Sequence, residues 1–338
     1  MEGIFPLWDI SPLARTRIIR RMRLADILEL SARSEPFHDF LKANKLPEIT
    51  LTFAFIREDT QLWAAQPDHT RAEFRFQVHR NSFSFQGNSF SFGDKTVSRK
   101  DRNFVVLGCL NFKMELDAME ELVNYIASIA HVKYRLHCHR YTEYDLLETF
   151  AFKVIKQFPF SGVIFGFDMA AERYTFTEEQ IRFLQEHAKI ENLSLVCLVR
   201  STEPLERVNF TQKRLCIERC RWLQPKVLLN DCRVEDIEIH FTQGNIQNLV
   251  EIAVQWQRGG TFINLKKMKL YCFGDWNEGN KLEILIDGFL GVAVSHAKKF
   301  EPFKGEIKRF TDGKVAKVEA EHIEQNVIPR GYLSLIID

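Results

Sequence analysis

Short apolar–x–apolar triplets recur along the second half of the chain with helical patterns between them. That alternation restricts the fold more than any other feature of the sequence. Tyr134-Arg135-Leu136, Val163–Phe167, Leu193-Ser194-Leu195, Ile237-Glu238-Ile239 and Met268-Lys269-Leu270 are centred near 135, 165, 195, 239 and 269, in steps of 30, 30, 44 and 30 residues. Between or before them, Met119–Ile126, Leu146–Phe158, Thr177–Ala188 and Ile246–Gln257 carry apolar side chains at helical spacing. A helix joining strands at that interval suits right-handed crossovers, so the pattern predicts parallel neighbours. The interval also lies close to leucine-rich-repeat periods of roughly 20–29 residues, although no Asn ladder accompanies it. An irregular, repeat-like α/β layer over residues 111–338 is the expectation. Ile307–Val318, around Asp312-Gly313, and Tyr332–Ile337 read as closing hairpin strands.

Upstream, the period changes. From Glu48 to Leu110, Leu51, Phe53 and Phe55 alternate with smaller or polar residues, as do Phe74, Phe76 and Val78. Phe83, Phe85, Phe90 and Phe92 alternate around Gly87-Asn88, which predicts an antiparallel hairpin turning there. Phe104–Leu107 is a further strand, and Ser98–Arg102 reads as a solvated loop. Before Pro47, short helices are expected. Ser11 followed by Pro12 supplies a capping hydroxyl and a proline at the first helical position. Leu24–Leu30 and Phe37–Leu41 mark two more helices. The whole reads as an α/β (α+β) chain with three parts: helices at 1–47, an antiparallel β region at 48–110 and the layer at 111–338.

Composition excludes several classes. Lys and Arg number 46 against 45 Asp and Glu, for a net charge of +1, without the overall basicity of a general nucleic-acid binder. With 45% apolar residues and 29 Phe, the chain lacks the signature of disorder. No uncharged apolar stretch approaches the ~18 residues of a membrane span. Met1–Pro6 does not resemble a secretory signal, and seven irregularly spaced Cys suit free thiols. An intracellular protein, cytoplasmic or nuclear, is expected.

The first 47 residues pose a burial problem, because a segment of that size rarely stabilises itself. Ile4–Trp8 is an apolar run, and Ile18 and Ile19 point about 100° apart on a helix. One small interior does not easily accept both of them with Leu24, Ile27, Leu28 and Leu30. Burying each such side chain is worth roughly 1.5–3 kcal/mol, so another protein surface is implied. Packing on the chain's own C-terminal region is the alternative, and the residues alone do not choose.

Residues 5–41, FPLWDISPLARTRIIRRMRLADILELSARSEPFHDFL, resemble an F-box in the form expanded in nematodes. Phe5-Pro6-Leu7, Arg15, Met22, Ile27–Ser31 and Ser34 fall where that pattern has them. Residues 48–338 resemble the F-box-associated domain of the second nematode type. Its marks are Trp256-Gln257-Arg258-Gly259, Asn264-Leu265, Arg309–Gly313 and Val315-Ala316. One departure is visible: the family opens its first helix with Leu-Pro, whereas here Ile10-Ser11 precedes Pro12.

The resemblance implies a non-enzymatic subunit of a Skp–cullin–F-box-type ubiquitin ligase, with no cofactor. It would bind a Skp-type adaptor, and through it cullin and RING subunits, and hold an unidentified protein substrate. Nucleic acid and membrane are not expected partners. The implied adaptor-facing residues are Pro6, Leu7, Ile10, Pro12, Leu13, Ile18, Ile19 and Leu24, with Ile27 and Leu28 at the edge. An interaction module without ligase activity is the alternative.

In apolar–x–apolar strands the central residue faces outward. Arg135, Ser194, Glu238 and Lys269, with His240 and Tyr271 two positions further along, are therefore candidate substrate contacts. Trp276 is a candidate loop anchor. His137 and His139 would share a strand face, but no second ligand pair accompanies them, so they read as ordinary strand residues and no metal site is assigned. Cys216 and Cys220, four apart, read as buried helix residues. No phosphate-loop, nucleophile-elbow or zinc-protease motif is present. The arginines of Arg15–Arg23 suit a solvated face or an acidic partner.

Overall fold

A computed structural model of the chain describes residues 8–56, 59–65, 74–78, 88–92, 95–100, 103–107, 112–138, 150–166, 175–186, 189–196, 198–200, 209–220, 222–223, 232–241, 246–259, 262–273, 281–286, 289–294, 303–325 and 328–337. The fold is mixed α/β. It divides into two compact units, Met1–His137 and Cys138–Asp338.

The first unit opens with three short helices, α1 (Pro12–Ile19), α2 (Leu24–Arg33) and α3 (Glu35–Ala43). As expected, the Ser11 hydroxyl accepts from the Ala14 N–H at 3.3 Å, with Pro12 in the first turn of α1. Ser34 caps α3 in the same way, accepting from Phe37 N–H at 3.4 Å. Leu24, Ile27, Leu28 and Ser31 recur at helical spacing and are buried on one face of α2. Phe37 and Leu41 of α3 are buried with them. Strands β1 (Leu46–Ile56), β2 (Asp59–Ala65), β3 (Phe74–Val78), β4 (Asn88–Phe92), β5 (Lys95–Lys100) and β6 (Asn103–Leu107) follow. Then come α4 (Phe112–Ile129) and β7 (Ala130–Cys138). The strands lie in the order β7-β1-β2-β3-β6-β5-β4. β3 and β6 run parallel, while β1–β2, β2–β3, β5–β6 and β4–β5 are antiparallel. α2 packs against α3 and β4, and α3 against α4. Polar contacts fix α4 to the helices. Tyr125 donates to Ser31 Oγ at 2.6 Å, and the His38 ring stacks on Tyr125 with centroids 4.8 Å apart.

In the second unit, α5 (Phe150–Gln157), β8 (Phe160–Phe165), β9 (Thr175–Thr177), α6 (Glu178–Glu186), β10 (Asn192–Val196) and β11 (Leu198–Arg200) lead to β12 (Arg214–Cys220) and β13 (Asp236–Phe241). α7 (Ile246–Arg258), β14 (Lys267–Phe273), β15 (Lys281–Ile286), β16 (Phe289–Val294), β17 (Phe303–Lys308), β18 (Val315–Gln325) and β19 (Ile328–Ile337) complete it. β8, β10, β12, β13 and β14 are neighbours in chain order, and every pairing among them is parallel. β19, β18 and β17 continue the sheet antiparallel, which matches the closing hairpin expected at the tail. Thr177 and Gln180 form a reciprocal capping box that starts α6. The Thr177 hydroxyl accepts from Gln180 N–H at 3.2 Å, and the Gln180 carboxamide accepts from Thr177 N–H at 2.8 Å. The flanking residues Leu193 and Leu195, Ile237 and Ile239, and Met268 and Leu270 are at most 1% exposed. Trp256 on α7 is buried as well.

Three sequence expectations are corrected. Cys216 and Cys220 lie on strand β12, not on a helix. Leu215 and Ile217 alternate at period two and are both fully buried, and that alternation prevails over the four-residue cysteine spacing. β12 also fills the 44-residue gap, so the parallel strands are closer together than the triplets alone indicated. Ser98, Arg99 and Lys100 belong to β5 and not to a loop, because that strand bonds β4 on one side and β6 on the other. Finally, Asn88 is the first residue of β4 rather than a turn residue, and the partner of β4 is β5. Phe83 and Phe85 lie outside the described residues.

Candidate functional site

The first candidate surface is α1. Trp8 anchors the segment before it. The Arg15 guanidinium lies 4.4 Å from the Trp8 ring centroid and 5.1 Å from that of Phe40, and it donates to the Trp8 carbonyl at 2.9 Å. Trp8 also meets Phe37 and Phe40 edge-on. With the segment so fixed, α1 presents Pro12 and Leu13 to solvent, Leu13 at 66% exposure. Ile10 and Ile18 are half-buried.

The other implied adaptor residues are placed differently. Ile19, Leu24, Ile27 and Leu28 are 2–3% exposed and belong to the unit's own core. The packing of α2 on α3 and β4, and of α3 on α4, covers more of the apolar set than a free-standing 47-residue segment could. Pro6 and Leu7 lie outside the described residues. Among the described residues, Ile10, Pro12, Leu13 and Ile18 thus remain for a partner.

The second surface is the outward face of the parallel sheet in the second unit. Ser194, Cys216, Glu238 and Lys269 are register partners, strand to strand, so the topology brings three of the sequence-derived candidates into one row. All four are half-buried. Two residues further along β13 and β14, His240 and Tyr271 are also paired, with ring centroids 4.3 Å apart. His240 Nε2 lies 3.4 Å from Glu238 Oε1. Two residues the other way, Arg214 and Asp236 form an ion pair at 3.5 Å. Opposite charges alternate along these rows, which suits a protein surface better than an anion site. Cys216 was missed as a member of the row because its helical reading hid the strand. Arg135, by contrast, is exposed on β7 in the first unit.

Thiol chemistry is disfavoured here. Burial, together with the charges of Glu238 and Glu218, pushes the Cys216 thiol up to about 11. Burial raises Cys220 to about 12 and Cys232 to about 11. Thiols held protonated at neutral pH are poor nucleophiles. His137 lies half-buried, edge-on to Trp63 at 6.2 Å, and His139 falls outside the described residues. Among the described residues, no group of three or more His, Cys, Asp or Glu could hold a metal ion. Nor is any helix among them long and apolar enough to cross a membrane. Trp276 is not among the described residues.

The third constellation unites two sequence marks about fifty positions apart. Arg309, buried, lies over the Trp256 ring at 5.3 Å and forms a two-pronged ion pair with Asp312, its Nε donating to Oδ1 at 2.8 Å. The Phe310 N–H donates to the Gln257 carbonyl at 2.8 Å. Gly259 has φ +82°, and a Cβ there would run into the Thr311 side chain. The Arg309 hydrogen bonds are the main cause holding the Asp312 carboxyl down to about 2. These residues therefore lock the turn between β17 and β18 to the end of α7. Compared with known proteins, the chain matches no family model, no curated protein and no solved structure.

Proposed function

We propose that the chain is a substrate-recognition adaptor of a Skp–cullin–F-box-type ubiquitin ligase, with residues 1–47 as the F-box. Exposure of Leu13 and Pro12 on a capped helix carries the reading, because a folded helix that leaves a large apolar side chain 66% exposed offers a contact for another protein. Ile10 and Ile18 would complete the contact with a Skp-type adaptor. The row Ser194, Glu238 and Lys269, with His240 and Tyr271, would hold the protein substrate. We read β8, β10, β12, β13 and β14 as an irregular leucine-rich-repeat-like layer that displays that row. No chemistry is asked of this chain. Tethering raises the local concentration of substrate lysines near a charged conjugating enzyme, in the cytoplasm or nucleus.

Burial of Ile19, Leu24, Ile27 and Leu28 favours a second reading, an interaction module without ligase activity, because it takes four docking positions away from a partner. Co-expression with a Skp-type adaptor separates the two. The adaptor reading requires a stoichiometric complex that is lost with Leu13→Asp and Ile18→Glu together. Absence of the adaptor from the purified wild-type chain would leave the second reading.

A further inference from the structure

Two of the three exposed large apolar residues described in the second unit each follow, in the chain, a residue of the hydrogen-bonded constellation around Arg309. Ile263 is 68% exposed and Phe310 is 61% exposed. Ile263 follows Phe262, whose carbonyl accepts from Arg309 Nη1 at 3.5 Å, and Phe310 follows Arg309 itself. The two loops that carry them cannot drift apart easily. The Phe310 N–H is bonded to Gln257, Gly259 abuts Thr311, and Arg309 is held by Asp312. An apolar pair fixed on a rigid corner binds with little ordering cost.

The charges around that corner are mostly positive. Arg258 at the end of α7, Lys308 at the end of β17 and Lys314 just before β18 are exposed. Of the nearby acids, Asp312 is engaged by Arg309 and Glu235 by Lys266 at 2.7 Å, while Glu306 is exposed two residues before Lys308. A chain with a net charge of only +1 has concentrated cations next to two exposed apolar side chains.

We propose that the corner formed by residues 257–259, 262–266 and 308–314 docks an acidic segment of a protein partner. That segment would place a large apolar side chain against Phe310 and Ile263. The cation rim would speed encounter and select the acidic sequence, and the apolar pair would hold it. The proposal does not depend on the ligase reading.

The test uses the full chain and a short labelled peptide of Glu and Asp with Phe and Leu at its centre, followed by fluorescence anisotropy. Saturable binding that weakens with salt is expected. Phe310→Ser with Ile263→Ser, and separately Lys308→Glu with Lys314→Glu, should each weaken it roughly tenfold or more without lowering the melting temperature, because all four side chains are exposed. Lys189→Glu, at an exposed position away from both surfaces' named residues, should leave it unchanged. The proposal is overturned if the wild-type chain does not bind the peptide, or binds a basic peptide or single-stranded RNA as tightly. It is equally overturned if both corner variants bind like wild type. None of these outcomes bears on adaptor docking through α1.

Discussion

A methyl group at Gly259 would occupy the space that Thr311 fills, and the backbone there is left-handed at φ +82°. Gly259→Ala should therefore cost roughly 1–2 kcal/mol from the backbone alone, with the collision in addition. Urea unfolding would measure the loss. Adding Thr311→Gly to the alanine variant should recover the collision and leave the backbone cost, whereas an unchanged Gly259→Ala midpoint would refute this packing. Asp312 carries a pH signature. Its carboxyl is held at about 2, below its ordinary value of 3.8, chiefly by hydrogen bonds from Arg309. That contribution is fully present above 3.8 and is lost as the pH falls from 3.8 toward 2. An acid-unfolding series should show a shallower slope in that window for Asp312→Asn than for wild type. The members of this constellation were visible in the sequence as separate marks. Their union was not, because it depends on a pairing across the β17–β18 hairpin and α7 that no local pattern encodes.

Short elements depend on their caps. α1 spans only Pro12–Ile19, and the Ser11 hydroxyl satisfies one of its otherwise unpaired N–H groups. Ser11→Ala should destabilise it by about 1 kcal/mol, read as faster hydrogen exchange across residues 12–19. No change in exchange would mean that the cap is idle. This helix, and α2 and α3 after it, were legible because capping residues and helical spacing agreed. β12 was hidden because two periods compete in Leu215-Cys216-Ile217 through Cys220. β5 was hidden because Ser98, Arg99 and Lys100 are polar and gain their place from hydrogen bonds on both sides. The two adjacent isoleucines of α1 divide between core and surface. Adjacent Ile18 and Ile19 do point apart, but one side of α1 is covered, so Ile19 is buried while Ile18 is only half so.

Across the whole molecule, five parallel strands in chain order place residues from distant triplets side by side, and the apolar–x–apolar rule gave their outward residues directly. Ser194, Glu238 and Lys269 were thus legible as members of one face before the register was known, whereas Arg135 belongs to the other unit. Lys269→Glu with Tyr271→Ala should remove captured proteins from a pull-down with the full chain, and retention of every one would exclude this face as the reader. Titration of the purified chain with a purified Skp-type adaptor measures what α1 does. Binding is expected that Leu13→Asp weakens at least roughly tenfold, with an unchanged melting temperature because that side chain is exposed. Equal affinity for both proteins, or no binding by the wild-type chain, would contradict it.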